Sequence, residues 1–209
     1  MDMNIYNAYT YRTIGSAWVQ LNITKDLFLK STLGYDNRPH YEIRWENKDI
    51  GTGAGYDGRR QDIQNTRRRL TSSTILNFER SIHEKHNLGL LAGWEAEWTH
   101  TARLGAVSTG YTTNLTPVLS AGTIPTEAIG RTYDDALLSA ISRITYNYDN
   151  TYYAQVSYRA DGSSRFVPDT RWGNFYSVSG SWRFSQEAFM DFGWLNDGKI
   201  RASYGINGT

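Results

Sequence analysis

The sequence predicts an all-β protein: an antiparallel up-and-down meander of about eight long strands, part of a large transmembrane β-barrel. Three observations carry this. Apolar residues recur with period two along nearly the whole chain. Short and long connections alternate. Aromatic residues, 14% of the 209, gather near strand ends. Side chains of a strand point alternately to opposite faces, so period two gives one greasy and one polar face. In a barrel that crosses an outer membrane the greasy face meets lipid and the polar face meets the lumen. Short turns then lie on one rim and long loops on the other.

The elements follow in order. Tyr11, Thr13, Gly15, Ala17, Val19, Leu21 and Ile23 share one face of the first strand, with Ile14 and Trp18 as exceptions on the other. Leu27, Leu29, Leu33 and Tyr35 oppose Lys30, Thr32 and Asp36 in the second. Leu70, Thr74, Leu76, Phe78 and Ile82 oppose Arg69, Thr71, Ser73, Asn77 and Glu79. Leu88, Leu90, Ala92, Trp94, Ala96 and Trp98 oppose Asn87, Gly89, Glu95, Glu97 and Thr99, with Leu91 among them. Leu138, Ala140, Ile144, Tyr146 and Tyr148 form the greasy face of the fifth strand, and Tyr152, Ala154, Val156 and Tyr158 that of the sixth. Tyr176, Val178, Gly180, Trp182 and Phe184 do so in the seventh, and Ile200, Ala202, Tyr204 and Ile206 in the eighth. Each strand is expected to run roughly 10 to 16 residues, against a globular mean of about 5–6.

Tight turns are expected at residues 24–26, 83–86 and 149–151, and long loops at 37–65 and 104–133. Residues 161–171 form an intermediate connection, and Gln186–Met190 one helical turn within 185–197. A soluble β-sandwich also alternates with period two. Its strands are about half as long, and mid-strand Arg, Gln, Asn and Glu suit a wet lumen better than its outer face.

Composition removes other classes. The apolar share, 39%, is too large for a disordered chain. With no cysteine there is no disulfide scaffold, thiolate metal site or Cys nucleophile. A net charge of +1 gives no pull toward nucleic acid. The N-terminus lacks a basic stretch followed by an apolar run, so no signal peptide is expected. The run Leu88–Trp94 falls far short of the ~20 residues of a spanning helix.

Toward the C-terminus a succession of motifs stands out. Tyr158-Arg-Ala-Asp-Gly-Ser-Ser-Arg-Phe166 leads to Arg171-Trp-Gly-Asn-Phe175 and Ser181-Trp-Arg-Phe184. Trp194-Leu-Asn-Asp197 and Lys199-Ile-Arg-Ala-Ser-Tyr-Gly205 follow. In residues, order and separation this resembles the SusC/RagA family of TonB-dependent outer-membrane transporters of Bacteroidetes. The first 157 residues resemble the family only in strand pattern and turns. The resemblance implies a cell outer-membrane location and import of oligosaccharide or peptide. It also implies a SusD-like surface lipoprotein as lid, and a TonB complex engaged through parts absent here. No plug is found, and residues 1–209 are expected to be a segment of barrel wall. A small complete barrel serving as anchor or adhesin is the alternative.

No catalytic, cofactor or metal residue is expected. Nothing like G-x-S-x-G accompanies His100, Glu95, Glu97 and Ser108. His83 and His86 sit in a turn without a carboxylate-rich partner. Gly51–Gly58 is Gly-rich but lacks strand-to-helix context for a phosphate cradle.

Ligand contacts are expected on loops and rim. Asp161-Gly162 suggests a turn at a strand end, with Asp161 paired to Arg159 or Arg165. Asp161, Arg165, Arg171 and Trp172 are candidates for cargo at the lumen mouth. Loop aromatics that suit sugar faces or peptides add Trp45 and Tyr56, with Tyr41, Tyr111 and Tyr133 beside them. Arg59-Arg60 and Arg67–Arg69 are a basic rim suited to outer-membrane lipid head groups or an acidic substrate.

Overall fold

The computed structural model describes residues 3–190 and 196–207. Its strands are β1 (Ile5–Thr10), β2 (Thr13–Asn22), β3 (Leu27–Glu46), β4 (Arg59–Ile82), β5 (His86–Thr109), β6 (Ile124–Tyr148), β7 (Tyr152–Ser163), β8 (Trp172–Trp182) and β9 (Ile200–Ile206). They make one nine-stranded sheet in the order β1-β3-β4-β5-β6-β7-β8-β9, with β2 also on β3. The fold class read from the sequence holds, and the strand number reconciles simply. β1 and β2 run successively along one partner, so the chain makes eight passes.

A proline explains the interruption. Thr10 pairs with His40, and the Tyr11 N–H still donates to the Pro39 carbonyl at 3.0 Å. Pro39 has no N–H to return, so the ladder lapses at Tyr11 and Arg12.

Strand length departs from expectation. β4 and β5 have 24 residues each and β6 has 25. Of the expected loops, residues 37–46, 59–65, 104–109 and 124–133 are strand. The real connections there are 47–58, with the short helix α1 (Gly51–Ala54), and 110–123. A membrane crossing needs only about 9–11 residues of strand. Segments beyond that length have no lipid to face, so they carry no greasy parity and read as loops.

By contact clustering the chain divides into two compact units: Met1–Gly15, Gly34–Leu70 and Trp98–Asp134 in one, Ser16–Leu33, Thr71–Glu97 and Asp135–Thr209 in the other. In the second unit exposure alternates along β7 and β8. Tyr152, Val156, Tyr158, Tyr176, Val178 and Trp182 are exposed, while Gln155, Ser157, Ser177 and Ser179 between them are half-covered. Leu76, Leu90, Trp94, Leu138, Ile144, Ile200 and Tyr204 are exposed as well. The greasy parity has no second layer over it. A β-sandwich would bury that parity, so the soluble alternative fails. The accessible surface is 14360 Å², against roughly 10,000 Å² for a compact monomer of this length.

The turns are as tight as expected. His83 and Glu84 (φ 50° and 62°) and Asp149 and Asn150 (φ 52° and 54°) are left-handed pairs of the kind that joins twisted hairpins. The Thr24 hydroxyl accepts from the N–H groups of Asp26 and Leu27. Between β8 and β9 lie 3₁₀ turns at Phe184–Gln186 and Ala188–Met190. The Trp194-Leu195 part of the C-terminal motif series lies outside the described residues.

Aromatics beside these turns carry partners for their polar ends. The Tyr152 hydroxyl and the Trp182 indole N–H both donate to Glu187 Oε1, at 2.5 and 3.0 Å. His86 Nδ1 hydrogen-bonds the Tyr146 hydroxyl at 2.7 Å. Amphipathic rings with one apolar and one satisfied polar end suit a membrane–water interface. Among the described residues no helix is long and apolar enough to cross a membrane, which says nothing of strands.

Candidate functional site

The polar face of the second unit centres on Arg159 of β7. Its guanidinium donates to Asp161 at 2.7 Å, to Ser139 at 2.9 Å and to Glu95 at 3.2 Å. β5, β6 and β7 are thereby tied side by side. Ser139 is 1% exposed, beneath the guanidinium. The sequence offered Arg159 as a partner for Asp161; Glu95 and Ser139 become visible only through strand register.

Asp161 is not in a turn. Asp161 and Gly162 belong to β7, with Asp161 opposite Ser139 on β6 and Gly173 on β8. A Cβ on Gly162 would fall 2.9 Å from the Trp172 ring. The indole across the sheet occupies the space, so here glycine gives close packing rather than turn freedom. Arg165 pairs instead with Asp135, its Nε and Nη2 donating at 2.9 and 2.8 Å. Arg171 and Trp172 are exposed, and the Arg171 carbonyl accepts from the Ser163 N–H. Asp161, Arg159, Arg165 and Trp172 thus gather at one end of the β7–β8 hairpin.

Toward the other end the same face holds a trough of about 780 Å³, lined by Glu79, Asn87, Gln155, Ser179, Lys199 and Arg201 among others. The Lys199 ammonium sits 3.6 Å from the centre of the Tyr153 ring. Small hydroxyl side chains, Ser81, Thr145, Ser181 and Ser203, line it with them. Such a surface stays wet and admits polar cargo without offering a shaped pocket.

The first unit contains the only buried hydrophobics among the described residues: Trp45, Ile63, Val107 and Tyr111. The Trp45 and Tyr111 rings meet edge to face at 4.6 Å. The Tyr111 hydroxyl hydrogen-bonds Ser108 at 2.6 Å and donates to the Val118 carbonyl at 3.0 Å. Burial pushes its ionisation up. Gly58, at φ 86°, lets the chain pass within 3.0 Å of the indole where a Cβ would sit. Asn114 donates to Asp49 at 2.6 Å and accepts from the Lys48 N–H at 3.1 Å. Lys48 beside it holds the Asp49 carboxyl below the ordinary carboxylate range.

The loop aromatics therefore part company. Trp45 is 0% exposed and Tyr111 2%, so neither has a face to offer. Tyr56, 54% exposed, does. The basic rim also divides. Arg59 reaches Glu46 at 3.5 Å and Arg60 donates to Asp62, while Arg67 and Arg68 are exposed. His83 is in a turn and His86 on an aromatic ring pair, so the two imidazoles have separate tasks.

Comparison with known proteins follows from this geometry. No protein-family model matches the chain. A TonB-dependent receptor of Formosa agariphila is 29% identical over 200 residues, covering 92% of this chain and 19% of that protein. The TonB-dependent receptor SusC of Bacteroides thetaiotaomicron is 40% identical over 75 residues, 35% of this chain and 8% of that one. The solved RagAB peptide transporter superposes with a TM-score of 0.89 at 27% identity, covering 97% of this chain and 23% of the matched chain. RagAB structures in closed-closed and open-open states both score 0.89. The chain spans about a fifth of the length of the relatives it matches. These relatives are receptors and transporters, not enzymes. In sequence and in fold, the chain matches a stretch of TonB-dependent receptor barrel of the SusC/RagA kind, as its C-terminal motifs imply.

Proposed function

We propose that residues 1–209 are barrel wall in an outer-membrane transporter that imports nutrients too large to diffuse, oligosaccharide or peptide. The observation that carries this reading is the uncovered greasy parity of the second unit, opposite a face of Ser, Gln, Asn and Arg. Hydrocarbon cannot hydrogen-bond a backbone, so a sheet with this surface is stable in lipid only as part of a closed cylinder. The wall does no chemistry. It holds a rigid ladder and presents loops; the equal match to closed and open RagAB structures supports a part that keeps its form.

Energy comes from a TonB complex, engaged through segments other than this wall. A SusD-like surface lipoprotein lids the barrel from outside. In the second unit Asp161, Arg165, Arg171 and Trp172 offer cargo contacts; in the first, taken by itself, Tyr56 offers an exposed ring. Asp161 acts partly by positioning Arg159.

The test is uptake by cells expressing the full-length receptor, with and without a working TonB complex. Accumulation of labelled oligosaccharide or peptide that vanishes without TonB is expected. Uptake unchanged without TonB, or no uptake of any oligomer offered, overturns the reading. Solubility of the 209-residue chain as a monomer in detergent-free buffer would also count against a lipid-facing wall.

A further inference from the structure

Strand register brings together arginines that are far apart in sequence, all within the unit Met1–Gly15, Gly34–Leu70 and Trp98–Asp134. Thr10 stands opposite His40, and Tyr11 bonds Pro39, so Arg12 comes opposite Arg38. Between β3 and β4, the contacts Tyr41–Gln64 and Glu46–Arg59 agree on one register. Followed along the strands, it sets Arg38 opposite Arg67 and Asp36 opposite Arg69. Gly105 packs against Ile63 on β4 and Ile129 on β6, and His100 meets Asp134. That register sets Thr101 opposite Arg67 and Tyr133, and Arg103 opposite Asn65 and Arg131.

One row across adjacent strands therefore reads Arg12, Arg38, Arg67, Thr101, Tyr133. The next reads His40, Asn65, Arg103, Arg131. Neighbouring strands are about 4.8 Å apart. Neither row contains a carboxylate. The nearest are Glu42, which hydrogen-bonds His40 Nε2 at 2.9 Å, and Asp36, which takes two hydrogen bonds from Arg12, at 3.0 and 2.8 Å, and also feels the charges of Arg69 and Arg38. Arg38, Arg67, Arg103 and Arg131 are exposed.

Like charges directly opposite one another destabilise a sheet. Arginines stacked in this way weaken the fold they sit in, so their use lies in what they attract. A guanidinium presents a planar fork that matches carboxylate or sulfate two bonds at a time. The field is rich in donors and poor in free acceptors, so it suits an occupant made of acceptors. A peptide backbone would bring N–H groups as well, for which the rows offer few acceptors: the Thr101 and Tyr133 hydroxyls, the Asn65 amide oxygen and the His40 ring. A sugar chain bearing acid groups brings oxygens throughout. Tyr133, 58% exposed in the first row, supplies a ring for the C–H face of a pyranose.

We propose that Arg12, Arg38, Arg67, Arg103 and Arg131 form a binding field for an acidic oligosaccharide, one carrying carboxylates or sulfates along its length. The inference rests on the transport reading of the wall and specifies its cargo.

The full-length receptor in detergent is titrated with an oligouronate, a neutral malto-oligosaccharide and an oligoglutamate, each of similar length, at two salt concentrations. The oligouronate is expected to bind, more weakly as salt rises. Replacing Arg12, Arg38 and Arg67 together by Gln weakens it about tenfold or more, as expected for lost charge-assisted hydrogen bonds. The pair R103Q/R131Q, on the second row, does so to a smaller degree, and heat-modifiable gel mobility verifies folding of both. Oligouronate affinity equal to that of the neutral sugar, or untouched by both sets of variants, overturns the proposal. Preference for oligoglutamate overturns the choice of a sugar. Tighter oligouronate binding by the variants would mean that an acidic segment of the receptor itself occupies the field, and overturns it too. TonB-dependent uptake of some other oligomer, alongside failure here, leaves the transport reading standing and removes only this one.

Discussion

The two compact units use stretches of the same strands and both expose large apolar side chains, yet among the described residues only one of them buries an apolar core. In Ser16–Leu33, Thr71–Glu97 and Asp135–Thr209 many large apolar side chains are exposed, and along β7 and β8 the polar parity between them is half-covered. In Met1–Gly15, Gly34–Leu70 and Trp98–Asp134 a small core of Trp45, Ile63, Val107 and Tyr111 is buried. Ion pairs of Glu46 with Arg44 and Arg59 lie beside it. The backbone ladder is common to both; only the solvent each was selected for differs. A strand is a neutral carrier, and the medium writes its side-chain pattern.

The comparison breaks most sharply at Trp45. Trp45→Ala removes the centre of the water-type core and is expected to cost about 3–5 kcal/mol locally. Limited proteolysis of the full-length receptor should then cut within 47–58 and 110–123, while the heat-modifiable mobility of the barrel is unchanged. Cleavage no faster than in the unmodified protein would mean that the loops do not depend on this core.

Next in size is a charge on the lipid-type parity. Val156→Arg is expected to cost about 2–4 kcal/mol in a bilayer, and Gln155→Arg, one residue away on the other face, close to nothing. Denaturant titration in lipid vesicles reads the difference. Equal costs would erase the distinction between the faces.

Arg159→Ala leaves Asp161, Glu95 and Ser139 without their shared donor. A loss of about 1–3 kcal/mol follows from the half-buried groups left unmatched. Arg159→Lys should restore only part of it, because an ammonium lacks the planar fork. Full rescue by Lys would show that charge alone matters there.

The smallest effect concerns pH. Asp49 is held below the ordinary carboxylate range by Lys48, so its contribution is present above that range. It is lost as pH falls through the lowered value, on the acid side of the ordinary carboxylate range. Protease sensitivity of residues 47–58 should rise only on that acid side, and N114A should move the onset toward neutral pH.

How legible this was in the sequence depends on the solvent. Where lipid imposes parity, the faces of Leu138–Tyr148, Tyr152–Tyr158 and Tyr176–Trp182 could be assigned from residue order alone. Where water meets both faces, residues 37–46 and 59–65 gave no period, and a strand read as a loop. The aromatics show the same limit. Nothing in the order of residues separates Trp45, sealed against Tyr111, from Tyr56, which is open. At Asp161-Gly162 a local turn preference was overruled by Trp172 on the neighbouring strand. The arginine rows were out of reach for a related reason: Arg67–Arg69 are adjacent in sequence, but their company with Arg12, Arg38, Arg103 and Arg131 is a property of pairing.

The turn at His83 and Glu84 has a consequence for how such a wall tolerates change. It joins two strands of 24 residues each through two left-handed positions. One residue more or fewer there would slide β5 by a single step and exchange its two faces along its whole length. Tryptophans would take the place of glutamates on the polar face, and glutamates that of tryptophans on the apolar one. The hairpin thus behaves like a reading frame: insertions belong at 110–123, and the short rim is where lineages must keep count.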